Sequence, residues 1–262
     1  MGKRWRENAA GGAVFRSPVN SLDDGCLMHI FSFLSPIPDR YNMALVCHRW
    51  RYLACHPRHW LRIERSIKSL AEPGVYLTLE AAISDARPGD TILIASGGNH
   101  IVGNIQITKP LCLMGGGKLP DDTILTCLRG SESAFEFLST CKVANLTVRA
   151  ELGCCLLHRS GRLIVEACIL QCEENPLDYL SFPIVSTAPG CTPFAQLPLK
   201  EGEGFSSSAR TDSVVVSNTR IEGGAKAVST NGNLVLQHVR AMYARTSIFF
   251  WFEVGEKVRV SL

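Results

Sequence analysis

Apolar residues between Leu22 and Trp60 recur at helical spacing, and this predicts the first folded element of the chain. Leu27, Ile30, Phe31 and Leu34 fall at i, i+3, i+4 and i+7, one stripe along a short helix. Asp23 and Asp24 stand just ahead of it, where negative charge favours a helix start, and Pro36 and Pro38 stop it. Asp39 is placed to cap a second helix that carries Met43, Val46, Cys47, Trp50 and Leu53 on one side. Pro57 ends that helix before Trp60. About forty residues cannot bury this much apolar surface internally, so the stripe must rest on a partner, in this chain or another.

Past Arg62 the pattern changes. Tyr76 to Ala86 is amphipathic, with Leu79, Ala82 and Ile83 on one face, and Arg87-Pro88-Gly89-Asp90 ends it. Thr91 to Ala95 then reads as a buried strand, followed by short apolar runs punctuated by Gly, Asn and Pro, such as Ile105–Ile107, Leu111–Met114, Thr123–Leu125 and Phe135–Phe137. Val143–Val148 is echoed by Val165–Leu170 at a distance of 22 residues, and Val216–Ile221 by Leu236–Ala241 at 20. A period of that length built from strands and turns points to a β-solenoid. Asn145 and Asn218 share the middle position, where a ladder of stacked amides is expected. The competing β-sandwich needs hairpin signals, and Asn231-Gly232 is the main one in the chain. Five prolines between Cys172 and Arg210 break the period, so a stretch near 173–209 reads as an insertion on one side, either a recognition loop or a spacer.

Composition narrows the classes. A net charge of +3 without a dense basic stripe argues against nucleic acid, and no apolar run approaches a membrane span. Eleven scattered cysteines and no apparent signal peptide predict reduced thiols in an intracellular protein, nuclear, cytoplasmic or both. Residues 1–19 read as a flexible basic tail; Met1-Gly2 suggests myristoylation, but Arg6 occupies the position that needs Ser or Thr. Cys47, His48, Cys55, His56 and His59 are dense but lack a Cys-x2-Cys pair, so no metal and no cofactor is expected.

Residues 20–62 resemble an F-box. The resemblance rests on Leu22-Asp23-Asp24, Leu27-Met28-His29-Ile30-Phe31-Ser32-Phe33-Leu34, Leu45-Val46-Cys47-His48-Arg49-Trp50 and His59-Trp60. Family members generally open with Leu-Pro, where this chain has Leu22-Asp23. The resemblance implies a three-helix module that docks on the Skp adaptor of a Skp–cullin–F-box ubiquitin ligase. The adaptor-binding residues it implies are Leu22, Leu27, Ile30, Phe31, Leu34, Leu45, Val46, Cys47, Trp50 and Trp60, with Cys47 a core position.

Residues 63–262 resemble right-handed parallel β-helix proteins. Glu80-Ala81-Ala82-Ile83, Pro88-Gly89-Asp90-Thr91-Ile92 and Ile107-x2-Pro110-Leu111-x-Leu113-x-Gly115 carry that likeness. It implies a helix capping the open end of the solenoid, and one coil per ~22 residues gives roughly seven coils at ~4.8 Å each. The whole chain is similar to plant Skp-interacting F-box proteins of this architecture, which pectin-modifying enzymes share. The expected fold is thus multidomain α and β, a small three-helix F-box followed by a single-stranded solenoid.

The expected function is substrate recognition in the ligase, with the adaptor and, through it, cullin as partners and an unidentified protein as target. Leu180, Phe182, Ile184, Phe194 and Leu197 in the insertion are the expected target contacts. Catalysis is not expected, because Glu136, Glu166 and Arg220 are scattered over separate coils. The alternatives are a carbohydrate-active or sugar-binding β-helix protein, and an F-box scaffold outside any ligase.

Overall fold

A computed structural model of the protein describes residues 18–64, 72–173, 183–187, 212–230 and 233–250. The chain divides into two compact units, Met1–His56 and Pro57–Leu262.

In the first unit, helix α1 spans Asp24–Ser32 and starts where Asp23, with extended backbone, accepts the Cys26 N–H at 2.8 Å. That hydrogen bond holds the Asp23 carboxyl below the usual carboxylate range. The expected second helix is two helices, α2 at Tyr41–Ala44 and α3 at His48–Ala54. Cys47 has φ −160° and ψ 168°, and this extended residue breaks the run. Its Sγ accepts the Trp50 N–H at 3.5 Å, so Cys47 caps α3. It is exposed, which corrects the expectation of a core position. Asp39 does not cap α2. It lies within the helical turn Pro36–Arg40 and accepts the Ser35 hydroxyl at 2.9 Å.

The core of this unit is Leu27, Phe31, Leu53 and Ala54, with Leu22, Met28, Leu34, Met43, Ala44 and Trp50 packed around it. Phe31 and Trp50 meet edge to face at 5.5 Å. The Val-Cys-x-x-Trp segment thereby gains a physical reading: Cys47 starts the helix that delivers Trp50 to Phe31.

The second unit is a parallel β-helix, in which every strand pairs in parallel and the chain visits three sheets in rotation. Strands β1 (Leu61–Ile63) and β2 (Val75–Tyr76) precede helix α4 (Leu79–Asp85). The first coil is β3 (Thr91–Ile94), β4 (Gly98–Val102) and β5 (Ile105–Ile107), and the second is β6 (Leu111–Gly115), β7 (Thr123–Cys127) and β8 (Ser133–Phe137). The third is β9 (Cys141–Ala144), β10 (Thr147–Ala150) and β11 (Cys154–His158), and the fourth is β12 (Arg162–Glu166), β13 (Ile169–Cys172) and β14 (Val185–Ser186). The fifth is β15 (Ser213–Ser217), β16 (Arg220–Gly223) and β17 (Lys226–Thr230), and the sixth is β18 (Asn233–Gln237), β19 (Arg240–Met242) and β20 (Thr246–Phe250).

Alternation within each strand sends one set of side chains inward, and register stacks them. Ile92, Leu113, Val143, Val165, Val216 and Leu236 form one such column through the six described coils of the first sheet, each buried. Cys154, Cys155 and Cys168 are buried in the same core, and burial pushes the Cys168 thiol up to about 11.

The repeated hexapeptides are corners, not strands. Each runs from the end of a first-sheet strand, through one residue with positive φ, into a second-sheet strand. The turning residues are Asn145, Ala167, Asn218 and His238, with φ between 48° and 54°. Backbone bonds from Asn145 N to Glu166 O, Ala167 N to Ser217 O and Asn218 N to Gln237 O join successive corners. The expected amide ladder is absent at Asn145. Its Nδ2 donates to Gly115 O at 3.2 Å and Gly117 O at 2.7 Å on the preceding coil. Gly115 is required there, because a Cβ on it would lie 1.9 Å from Asn145 O. Ala167 then interrupts the run.

Helix α4 begins at Thr78, whose hydroxyl accepts the Ala81 N–H, and buries Leu79, Ala82 and Ile83 in the solenoid core. Lys109 Nζ donates to the carbonyls of Ile83, Ser84 and Ala86 at 3.2, 2.8 and 2.7 Å, closing the helix end. The Tyr76 hydroxyl donates to Asp85, and burial together with that bond pushes Tyr76 up to about 12.

The stretch expected as one insertion contains a strand. Val185–Ser186 pairs with β11 and β17 and completes the fourth coil.

Candidate functional site

Packing sorts the apolar stripe of the first unit into two sets. Leu27 and Phe31 point into the core at 0% and 2% exposure, and Leu22, Leu34 and Trp50 are half-buried around it. Ile30 is 45% exposed, Leu45 67% and Val46 61%. The reason is geometric: a core of four buried residues needs only one side of each short helix. Leu45 and Val46 sit in the turn between α2 and α3, where neither helix covers them. Phe33, Ile37, Tyr41 and Tyr52 are also exposed and were not singled out by spacing, because they fall off the i, i+3, i+4 stripe. Phe33 alone is 73% exposed, with His29 edge-on at 4.9 Å. Together with Val19, these make eight exposed large apolar residues among the described residues of the first unit.

A polar contact ties the helices of this unit together. Arg49, on α3, donates Nε to Asp24 Oδ1 at 2.8 Å and Nη2 to Leu22 O at 2.6 Å, tying the starts of α1 and α3 together. Trp60 belongs to the second unit and is half-buried there, so it is not part of this exposed set.

Of the expected target contacts, Ile184 is a correction. It is fully buried in the solenoid core, one residue before β14, because the fourth coil needs an inward apolar residue there. Leu180, Phe182, Phe194 and Leu197 lie outside the described residues.

Glu136, Glu166 and Arg220 are placed on three different sheets. Glu136 pairs with Arg159 at 2.9 Å on the third sheet, Glu166 with Lys142 at 2.6 Å on the first, and Arg220 with Glu222 at 2.5 Å on the second. The three therefore cannot converge on one reacting atom. Among the described residues no group of three His, Cys, Asp or Glu side chains could hold a metal ion, and no helix is long and apolar enough to cross a membrane.

Residues 24–66 match the F-box-like family. The chain is 66% identical over 238 residues to "F-box protein SKIP5" of Arabidopsis thaliana, covering 90% of this chain and 86% of the relative. Two solved structures are similar in fold at 16% identity. Escherichia coli YbhC has a TM-score of 0.44, covering 67% of this chain and 55% of that one. Rice weevil pectin methyl esterase has a TM-score of 0.38, covering 73% and 63%.

Proposed function

The chain belongs to the F-box protein family, and from that premise we propose that it is the substrate-recognition subunit of a Skp–cullin–F-box ubiquitin ligase. The observation that carries this reading is the exposed apolar set of Ile30, Phe33, Leu45 and Val46, on a unit whose apolar core, among the described residues, is the cluster of Leu27, Phe31, Leu53 and Ala54. Covering that surface with a Skp-family adaptor removes apolar area from water, which is the main driving force of association. Ile30, Leu45 and Val46 make the contact, while Leu22, Leu27, Phe31, Leu34 and Trp50 hold its shape and Cys47 starts the helix beneath it.

The solenoid presents the target. It carries no chemistry in this scheme; the ligase gains rate by holding target and ubiquitin-charged partner together, which raises their effective concentration. The supporting feature is rigidity, since each coil between the first and the sixth is pinned by parallel pairing to both neighbours.

The test is purification from proteasome-blocked cells, comparing the intact chain with a Leu45→Asp, Val46→Asp variant. The reading requires ubiquitin-conjugated proteins that accumulate with the intact chain and not with the variant. A conjugate profile identical in both removes the ligase role and leaves a scaffold.

A further inference from the structure

The third sheet of the solenoid carries an outward cleft of about 320 Å³ that no part of the ligase scheme uses. Three successive coils build it. Gln106, Glu136 and Leu157 stand in one outward row, aligned by the pairing of β5 with β8 and of β8 with β11. Glu136 is held from two sides: Gln106 Nε2 donates to Oε2 at 2.8 Å and Arg159 Nε to Oε1 at 2.9 Å. Asn104, with φ 52°, turns its Oδ1 to accept the N–H groups of Glu132 and Ser133 at 3.0 and 3.3 Å. That bond fixes the backbone from which Glu132 projects at the rim. The Glu132 carboxylate makes no hydrogen bond or ion pair with any described residue.

The charges decide the ligand. Glu132 and Glu136 outweigh Arg159, so the cleft is net negative and disfavours an anion. Among its open acceptors are the Glu132 carboxylate and the Gln106 side-chain carbonyl, and Leu157 supplies an apolar wall. A cation on a flexible aliphatic stem matches all three: the stem lies along Leu157 and the charged head reaches Glu132. We propose that this cleft binds a lysine or arginine side chain displayed on an extended segment of a partner protein. Its meaning as a target-reading site rests on the receptor function proposed above; the binding itself does not.

The experiment uses the full chain without adaptor and follows the side-chain amide NMR signals of Gln106 and Asn104 at low ionic strength. The probes are capped Gly-Gly-Lys-Gly-Gly and its arginine, norleucine and glutamate counterparts. The lysine and arginine peptides should shift both signals saturably, while the norleucine and glutamate peptides leave them in place. Glu132→Gln keeps the backbone bond to Asn104 and should weaken lysine-peptide binding about two- to fivefold, the range of a single exposed ion pair. Leu157→Ala should weaken it as well. No shift with any peptide, equal binding of the glutamate peptide, or unchanged affinity in Glu132→Gln overturns the proposal. Because no adaptor is present, each of those results leaves the ligase reading standing, and loss of adaptor binding elsewhere leaves the cleft standing.

Discussion

Arg49 and Asp24 pair across 25 residues of chain, Nε to Oδ1 at 2.8 Å, and the same guanidinium holds the Leu22 carbonyl. One side chain thus fixes where α1 starts relative to α3, and with it the spacing of Ile30 from Val46. Both partners are well exposed, so Arg49→Met should cost only about 1 kcal/mol. Hydrogen exchange in the full chain should show it as faster opening of α3 with the solenoid amides unchanged. Slowed exchange or a solenoid-wide effect would contradict this placement.

Cys47 caps α3 through sulfur at 3.5 Å, a weak bond because thiol sulfur is a poor acceptor. A hydroxyl makes the same cap better, so Cys47→Ser should stabilise the first unit by up to about 1 kcal/mol, and Cys47→Ala should destabilise it. Local opening free energies of the α3 amides report both signs. If Cys47→Ser destabilises as much as alanine does, the residue packs instead of capping.

Asn145 is where the third coil is clamped to the second. Asn145→Ala loses two hydrogen bonds and leaves at φ 54° a residue that tolerates left-handed backbone less well than asparagine, for a cost of about 2–3 kcal/mol in chemical denaturation. Asn145→Gly loses the bonds but relieves the backbone, and should recover about 1 kcal/mol of that. Equal loss in both variants would remove backbone strain from the account.

His158 makes stability depend on pH. Burial holds its imidazole below the ordinary 6.5, against the opposing pull of the Gly161 carbonyl at 2.9 Å and of Asp212. The native state therefore binds the proton less readily than the unfolded chain. No penalty exists above pH 6.5, and stability is lost as pH falls below it. His158→Gln should reduce the drop in unfolding midpoint between about pH 7 and 5. An equal drop in variant and parent would assign the effect to other groups.

The two-part architecture was legible because its two periods differ. Leu27 and Phe31 announce a helix four residues apart, and the recurrence from Val143 to Val165 announces a coil. Val143–Val148 reads as one strand because four of its six residues are apolar; the asparagine in its middle is the sign of a turn, and the backbone shows that this turn splits the run between two sheets. Helical spacing runs unbroken from Met43 to Trp50, which hid the break at Cys47; the signal present was a capping-capable side chain three residues before Trp50. Exposure was the least legible property. Ile30 and Phe31 are adjacent and equally apolar, yet one is open and one buried, because only three-dimensional packing decides which side of a short helix the core needs. Ile184 was lost in a proline-rich stretch for the converse reason: one coil's inward position carries no periodic signal of its own.

The central claim is that the exposed apolar set of the first unit is an adaptor-docking surface, and direct binding tests it. Purified full chain is titrated with a purified Skp-family adaptor by calorimetry, beside Leu45→Asp and Ile30→Asp, whose side chains lie outside the core. Trp50→Ala is the wrong probe, since it would hollow out the contact with Phe31 and unfold the unit. Truncating or charging a central anchor typically costs about 2 kcal/mol or more, so each variant should bind about thirtyfold more weakly while its circular dichroism and melting stay those of the parent. Undiminished adaptor binding by both folded variants would contradict the account.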